Sequence, residues 1–141
     1  KAILDGLMSA PCRVVLPLHP RTRAALQRYG LHTFLAAGGM LDIIEPVGYL
    51  DMLQLQRNAV AVLTDSGGVQ KEAYYLGVPC VTLREETEWI ETVQAGWNQL
   101  IGTEMSQIPA AVARSAEVRK LERPALYGDG YAAERIVEKM A

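Results

Sequence analysis

The chain has 141 residues, half of them hydrophobic and 21% charged, a profile that suits one soluble globular domain with its own core. Its formal net charge of −2 offers no basic field to nucleic acid or to an anionic membrane. No apolar run approaches the roughly 20 residues of a membrane span, and no secretory signal pattern is present. Only Cys12 and Cys80 are available as thiols, too few for a disulfide framework or a metal set. Both sit in or beside apolar runs and are expected to be buried free thiols in a reducing compartment.

Ile3, Leu4, Leu7 and Met8 share one helical face from the start. The sequence is therefore expected to enter within a helix, either as one domain taken by itself or as a fragment of a longer chain. Arg13 to Leu18 is a β-branched and leucine run that predicts a strand, ending at His19-Pro20. A helix is expected from Thr22 to Tyr29, closed by Gly30. Asp42 to Glu45 is a short strand stopped by Pro46, and Leu50 to Asn58 a helix. Ala59 to Thr64 is a continuous apolar run, as for a strand covered on both faces. After the turn Asp65-Ser66-Gly67-Gly68, Val69 to Leu76 reads as a helix with Gly77 past its end and Pro79 beyond. Pro79 to Leu83 is the next strand, Glu88 to Ala95 a helix stopped by Gly96, and Gln99 to Ile101 a short strand. Ile108 to Leu121 is helical. Tyr127-Gly128-Asp129-Gly130 is a turn, and Tyr131 to Met140 is the last helix.

Strands alternating with helices imply right-handed crossovers and a parallel sheet. The expected fold is α/β, a Rossmann-like doubly wound parallel sheet. Such sheets bind ligands at the carboxyl ends of their strands. The loops of interest are therefore His19-Pro20, Pro46 to Tyr49, Asp65 to Gly68 and Arg84 to Glu88.

Among these, the Asp65 to Gly68 loop carries the most chemistry. A buried strand runs into two glycines and then a helix. The first turn of a helix presents unpaired amides and a partial positive charge. Gly67 and Gly68 let a diphosphate approach the backbone with no Cβ in the way. The Ser66 hydroxyl either caps the helix or donates to a phosphate oxygen. Glu72 lies about 6 Å further along the axis than Gly68, at about 1.5 Å per residue. A carboxylate there suits the two hydroxyls of a ribose. A plain capped helix with Glu72 as a solvated charge has the same local pattern. The loop is neither a Walker loop nor a Gly-x-Gly-x-x-Gly fingerprint.

The longer string is more specific. Leu63-Thr64-Asp65-Ser66-Gly67-Gly68-Val69-Gln70-Lys71-Glu72-Ala73, then Leu76-Gly77-Val78-Pro79, then Leu83-Arg84-Glu85-Glu86-Thr87-Glu88, closely resembles the signature of the non-hydrolysing UDP-N-acetylglucosamine 2-epimerases. Pro17-Leu18-His19-Pro20-Arg21 resembles the family's histidine-proline loop, and Glu45-Pro46-Val47-Gly48-Tyr49-Leu50 its pyrimidine-side loop. Tyr127-Gly128-Asp129-Gly130 resembles the turn before its last helix.

The resemblance implies one half of a glycosyltransferase-B-like two-domain fold, with residues 1–141 as the C-terminal nucleotide-sugar-binding domain, short at its N-terminal side and without the N-terminal domain. It implies inversion at C2 of the sugar by elimination and re-addition of UDP, with no cofactor and no metal. Carried over, Ser66, Gly67 and Gly68 hold the diphosphate and Glu72 the ribose. The segment from Pro46 to Met52 borders the base, and His19 matches a position linked in some members to a second, regulatory UDP-sugar. The family's acid and base carboxylates lie in the absent domain, so no catalytic residue is expected in this chain and the chain alone is expected to be inactive.

Arg84 is a ligand candidate, or it anchors its loop by pairing with Glu85, Glu86 or Glu88. Many bacterial members carry a second arginine where Trp89 stands here. A Thr-Glu-Trp version occurs in relatives acting on UDP-2,3-diacetamido-glucuronate, so that sugar competes with UDP-N-acetylglucosamine as the substrate. A glycosyltransferase of the same fold and a UDP-sugar sensor without catalysis compete with the epimerase as the function. Partners are expected to be a UDP-sugar and a second copy of the full-length protein, with no nucleic acid and no membrane, in the cytoplasm. Trp97 is expected to pack rather than stack on a ligand, His32 to lie on the surface, and at least one of Tyr74 and Tyr75 to face the core.

Overall fold

The computed structural model describes residues 1–36 and 39–140. In chain order the elements are α1 (Ala2–Met8), β1 (Val14–Pro17), α2 (Pro20–Arg28), a 3-10 turn (His32–Ala36), β2 (Leu41–Ile44), α3 (Tyr49–Asn58) and β3 (Val62–Thr64). There follow α4 (Gly67–Leu76), β4 (Cys80–Thr82), α5 (Ile90–Gln94), β5 (Asn98–Leu100), a 3-10 turn (Met105–Gln107), α6 (Ile108–Val118) and α7 (Ala132–Met140). Strands and helices alternate as expected, and every strand pairing is parallel.

The strands fall into two groups, β1 beside β2 and β3-β4-β5 in that order. One hydrophobic cluster spans both groups. It joins Leu41 of β2 and Leu18, just past β1, to Val81 of β4 and Ile101, just past β5, and it includes Leu4, Leu7, Met105, Ile108 and Val112. Among the three ordered strands, β4 lies in the middle with ladders on both edges. It, rather than β3, is the strand buried throughout; in β3 only Val62 is fully buried. The apolar run at 59–64 overstates that strand. Ala59 is still the cap of α3, and Val60 is 44% exposed.

Helix boundaries shift for local reasons. His19 caps α2 through Nδ1, which accepts from the amide of Arg21 at 3.2 Å, so the helix starts at Pro20 rather than Thr22. Glu88 and Trp89 lie outside α5 because the Trp89 amide donates to the Thr87 hydroxyl at 3.1 Å. Gly77 ends α4 with φ 68°, a left-handed conformation that favours glycine. Tyr74 is the core-facing member of its pair, and Tyr75 is 50% exposed. Among the described residues, no helix is long and apolar enough to cross a membrane.

Cys12 is half-buried and Cys80 buried, both as free thiols. Burial pushes the Cys80 thiol up to about 12, against a smaller opposing effect of its hydrogen bond to Thr82. Iodoacetamide at pH 8 is therefore expected to alkylate Cys12 and spare Cys80 in the folded protein. Peptide mass spectrometry checks this, and equal labelling of the two thiols would contradict it.

Candidate functional site

Helix α4 begins at the carboxyl end of β3, where the fold places ligand-binding loops. Its first intrahelical bond runs from the Gln70 amide to the Ser66 carbonyl at 3.1 Å. The amides of Gly67, Gly68 and Val69 precede that bond and have no helical acceptor. The Ser66 side chain makes no capping bond. Its backbone amide instead donates to the Thr64 hydroxyl at 3.0 Å, which fixes the turn, and the serine hydroxyl has no hydrogen-bond partner among the described residues. Of the two readings of Ser66, helix cap or ligand donor, the cap is the one not realised.

The two glycines have different surroundings. A Cβ on Gly67 would lie 3.1 Å from Glu88 Oε2 and 3.4 Å from Trp89 Nε1, so its absence permits close packing of the 84–89 loop. A Cβ on Gly68 would meet only the Ser66 hydroxyl, at 3.8 Å. Gly68 therefore faces open space beside the free amides and the free hydroxyl, with room for an anion.

Arg84 pairs with Glu88, one of its three acidic neighbours. Arg84 Nη2 donates to Glu88 Oε1 at 2.8 Å, and Nη1 lies 3.4 Å from both Glu88 Oε2 and the Asp65 carbonyl. The Arg84 hydrogen bond holds the Glu88 carboxyl below the usual carboxylate range, and the same contact raises the arginine. The pair is open to solvent and adds little stability. Its consequence is geometric, since it ties the loop after β4 to the turn after β3 and brings a guanidinium beside the start of α4.

Trp89 is anchored there too. Its Nε1 donates to the Gly67 carbonyl at 2.8 Å, and its ring meets Tyr127 edge-on at 6.0 Å. The Lys71 ammonium sits 4.2 Å from the Trp89 ring centroid and 4.6 Å from that of Tyr127. Trp89 is thus committed to α4 and to the 123–130 segment. The Lys71 sandwich has no local sequence signal, because its two aromatic walls come from segments far apart in the chain.

Beneath the loop lies a buried polar network, in which Gln70 Nε2 has no partner among the described residues. Thr87 Oγ1 donates to Gln70 Oε1 at 2.6 Å, and Asn98 Nδ2 donates to Gln70 Oε1 at 3.1 Å and to Thr92 Oγ1 at 3.2 Å. Thr82 Oγ1 donates to Asn98 Oδ1 at 2.7 Å, and Thr92 Oγ1 to the Trp89 carbonyl at 2.6 Å. Gln70, Thr82, Thr92 and Asn98 are each at most 2% exposed. The network links β4, β5, α4 and α5, and it holds the 84–89 loop against the first turns of α4.

Glu72 faces α3. Its Oε2 accepts from Gln56 Nε2 at 2.8 Å. Ser66, Gly67, Gly68, Arg84 and Glu72 are therefore grouped on and around one helix. Among the described residues no hydrogen bond joins His19 to this group; its side chain instead serves the Arg21 amide. Trp97 is buried and packs edge-on against Tyr74 at 6.2 Å, as expected, and His32 is exposed.

Comparison with known proteins bears on this arrangement. The family model described as UDP-N-acetylglucosamine 2-epimerase matches residues 1–141. A UDP-2,3-diacetamido-2,3-dideoxy-D-glucuronate 2-epimerase of Pseudomonas aeruginosa is 46% identical over 128 residues, 91% of this chain and 34% of that protein. A UDP-N-acetylglucosamine 2-epimerase of Methanocaldococcus jannaschii is 44% identical over 125 residues, 88% of this chain and 34% of that protein. A crystal structure of the Methanocaldococcus jannaschii UDP-GlcNAc 2-epimerase in complex with UDP-GlcNAc and UDP superposes with a TM-score of 0.82 at 40% identity, covering 99% of this chain and 38% of that one. The chain thus spans little more than a third of the length of these relatives. Matched along its whole length, it belongs to the UDP-N-acetylglucosamine 2-epimerase family.

Proposed function

We propose that the chain is the nucleotide-holding, C-terminal part of a UDP-sugar 2-epimerase that interconverts UDP-N-acetylglucosamine and UDP-N-acetylmannosamine. The observation that carries this reading is the start of α4: free amides, an uncapped Ser66 hydroxyl and an open Gly68. The family match and the likeness to a protein solved with UDP-GlcNAc and UDP support it. In this reading Ser66, Gly67 and Gly68 take the diphosphate, Arg84 stands beside it, Glu72 takes the ribose, and His19 lies towards a second UDP-sugar. The full-length protein is a cytoplasmic homodimer that serves polysaccharide biosynthesis.

The chemistry explains why such a helix start is useful. A base removes the proton from C2, the C1–O bond to the diphosphate breaks with its electron pair leaving on UDP, and a C1–C2 double bond remains. Re-addition forms the C1–O bond again while a proton arrives at C2 from the opposite face. Negative charge grows on the diphosphate as the bond breaks. Fixed amide dipoles stabilise that charge without reorganising. The groups that move the C2 proton belong to the part of the protein outside this chain.

The diacetamido-glucuronate sugar is the second reading, and the 46% identity to the Pseudomonas aeruginosa relative is the observation in its favour. Trp89 does not distinguish the two, because its indole is committed to Gly67 and Lys71.

Calorimetric titration with UDP and both UDP-sugars, together with incorporation of solvent deuterium at C2 by the full-length protein, tests the function. Binding of UDP without C2 exchange in the full-length protein would replace the epimerase by a sensor or a glycosyltransferase. Gly68→Ala sharpens the test. Helix propensity alone favours alanine by about 0.5–1 kcal/mol, and nothing nearby clashes, so the urea midpoint is expected to hold or rise. UDP affinity is expected to fall by about tenfold or more, since the new methyl group occupies the approach to the amides. Unchanged UDP affinity would remove the diphosphate from this position.

A further inference from the structure

Gln56 is a polar residue where an apolar one would be ordinary. It lies on α3, facing α4, and is 4% exposed. A side-chain amide that deep is costly unless both its ends are satisfied. Only one is. Nε2 donates to Glu72 Oε2 at 2.8 Å, while Oε1 is buried with no partner among the described residues. Turning the amide over would set Oε1 against the Glu72 carboxylate, two acceptors facing each other. The charge on Glu72 therefore fixes the orientation of Gln56, and the unsatisfied Oε1 is the cost of holding a donor on that carboxylate.

Resting on the reading of Glu72 as the ribose ligand, we infer that Gln56 is its positioning residue. The hydrogen bond occupies one side of Oε2 and holds the Glu72 side chain in one rotamer. Oε1 of Glu72 and the remaining lone pair of Oε2 are left for the ribose hydroxyls. A flexible glutamate would have to be ordered by the ligand; here the ordering precedes binding. The bond crosses from α3, which starts at the loop expected to border the base, to α4, which starts at the diphosphate cradle. Both helices are held at their far ends by arginines from the segment that closes α6. Arg119 donates to the carbonyls of Ala59 at 2.6 Å and Arg57 at 3.3 Å, and Arg123 donates to that of Tyr74 at 2.6 Å. Gln56 and Glu72 therefore meet between two elements whose spacing is fixed independently of either side chain.

The test compares Gln56→Met with wild type in the full-length protein, using UDP and 2′,3′-dideoxy-UDP as titrants. Methionine matches the length and volume of glutamine and removes both the donor and the unsatisfied acceptor. UDP is expected to bind about three- to tenfold more weakly to the variant. Affinity for the dideoxy nucleotide is expected to stay the same, as is the urea midpoint. In a Glu72→Gln background, Gln56→Met is expected to cause no further loss. An equal loss for both nucleotides, or a loss that persists in the Glu72→Gln background, would overturn the positioning role while leaving the nucleotide site in place. Failure of wild type to bind either nucleotide would instead overturn the nucleotide reading, and this inference with it.

Discussion

Glu72→Ala is expected to weaken UDP binding by about 10- to 100-fold, the scale of one or two lost hydrogen bonds to a charged group. The variant is also expected to be less stable, by about 1–3 kcal/mol, because Gln56 would then be buried with both ends of its amide unpaired. The two effects separate in Glu72→Gln. There the new carbonyl oxygen still accepts from Gln56 Nε2, so the urea midpoint is expected to stay near wild type. The second position becomes an amide nitrogen that cannot accept from a ribose hydroxyl, and the charge is gone. UDP affinity is therefore expected to fall in both variants, while stability falls in one. Unchanged affinity in folded Glu72→Gln would remove Glu72 from the ribose and leave it as a structural partner of α3.

That division is only half legible in the residues. The strand-glycine-helix arrangement at 64–76 is local, so spacing and propensity alone place the start of α4. Strand pairing is not local. The apolar run at 59–64 has the look of the covered strand, but burial depends on neighbours in the sheet, and the middle place belongs to β4. Arg84 has three acidic candidates within four residues, and backbone geometry selects Glu88. Trp89 points to the sugar only through the resemblance, which sets it where many bacterial family members are expected to carry arginine. Its indole N–H is directed to the Gly67 carbonyl, a contact between residues 22 apart. Gln56 carries no signal, since its partner lies 16 residues on, across an intervening strand. Pairs of this kind become readable only when two helices are set side by side.

Asn98→Ala is expected to have the largest effect on stability, about 3 kcal/mol from lost hydrogen bonds and the cavity left behind. Asn98 is 2% exposed and serves three partners. Its removal leaves the Thr82 hydroxyl without its acceptor and takes one donor each from Gln70 and Thr92. Asn98→Asp keeps the shape and tests the polarity of the network. With Gln70 held as it stands, Oε1 accepting from Thr87 and from residue 98, an ionised carboxylate would face an acceptor in a buried setting. Burial and that contact raise the new carboxyl above the usual value near 3.9. A group raised in the folded state stabilises most below its unfolded pKa and loses that contribution as pH rises through the folded pKa. The deficit of Asn98→Asp against wild type is thus expected to be large at pH 7 and to shrink towards pH 4, where the protonated acid donates to Gln70 and restores one of the two bonds the amide gave. Urea unfolding at the two pH values measures it, and a deficit independent of pH would mean that Gln70 is not oriented by Asn98. The network also holds the 84–89 loop against α4, so UDP affinity of Asn98→Ala is expected to fall even at temperatures where the variant is fully folded. Retained affinity would show that the start of α4 holds its geometry without the loop.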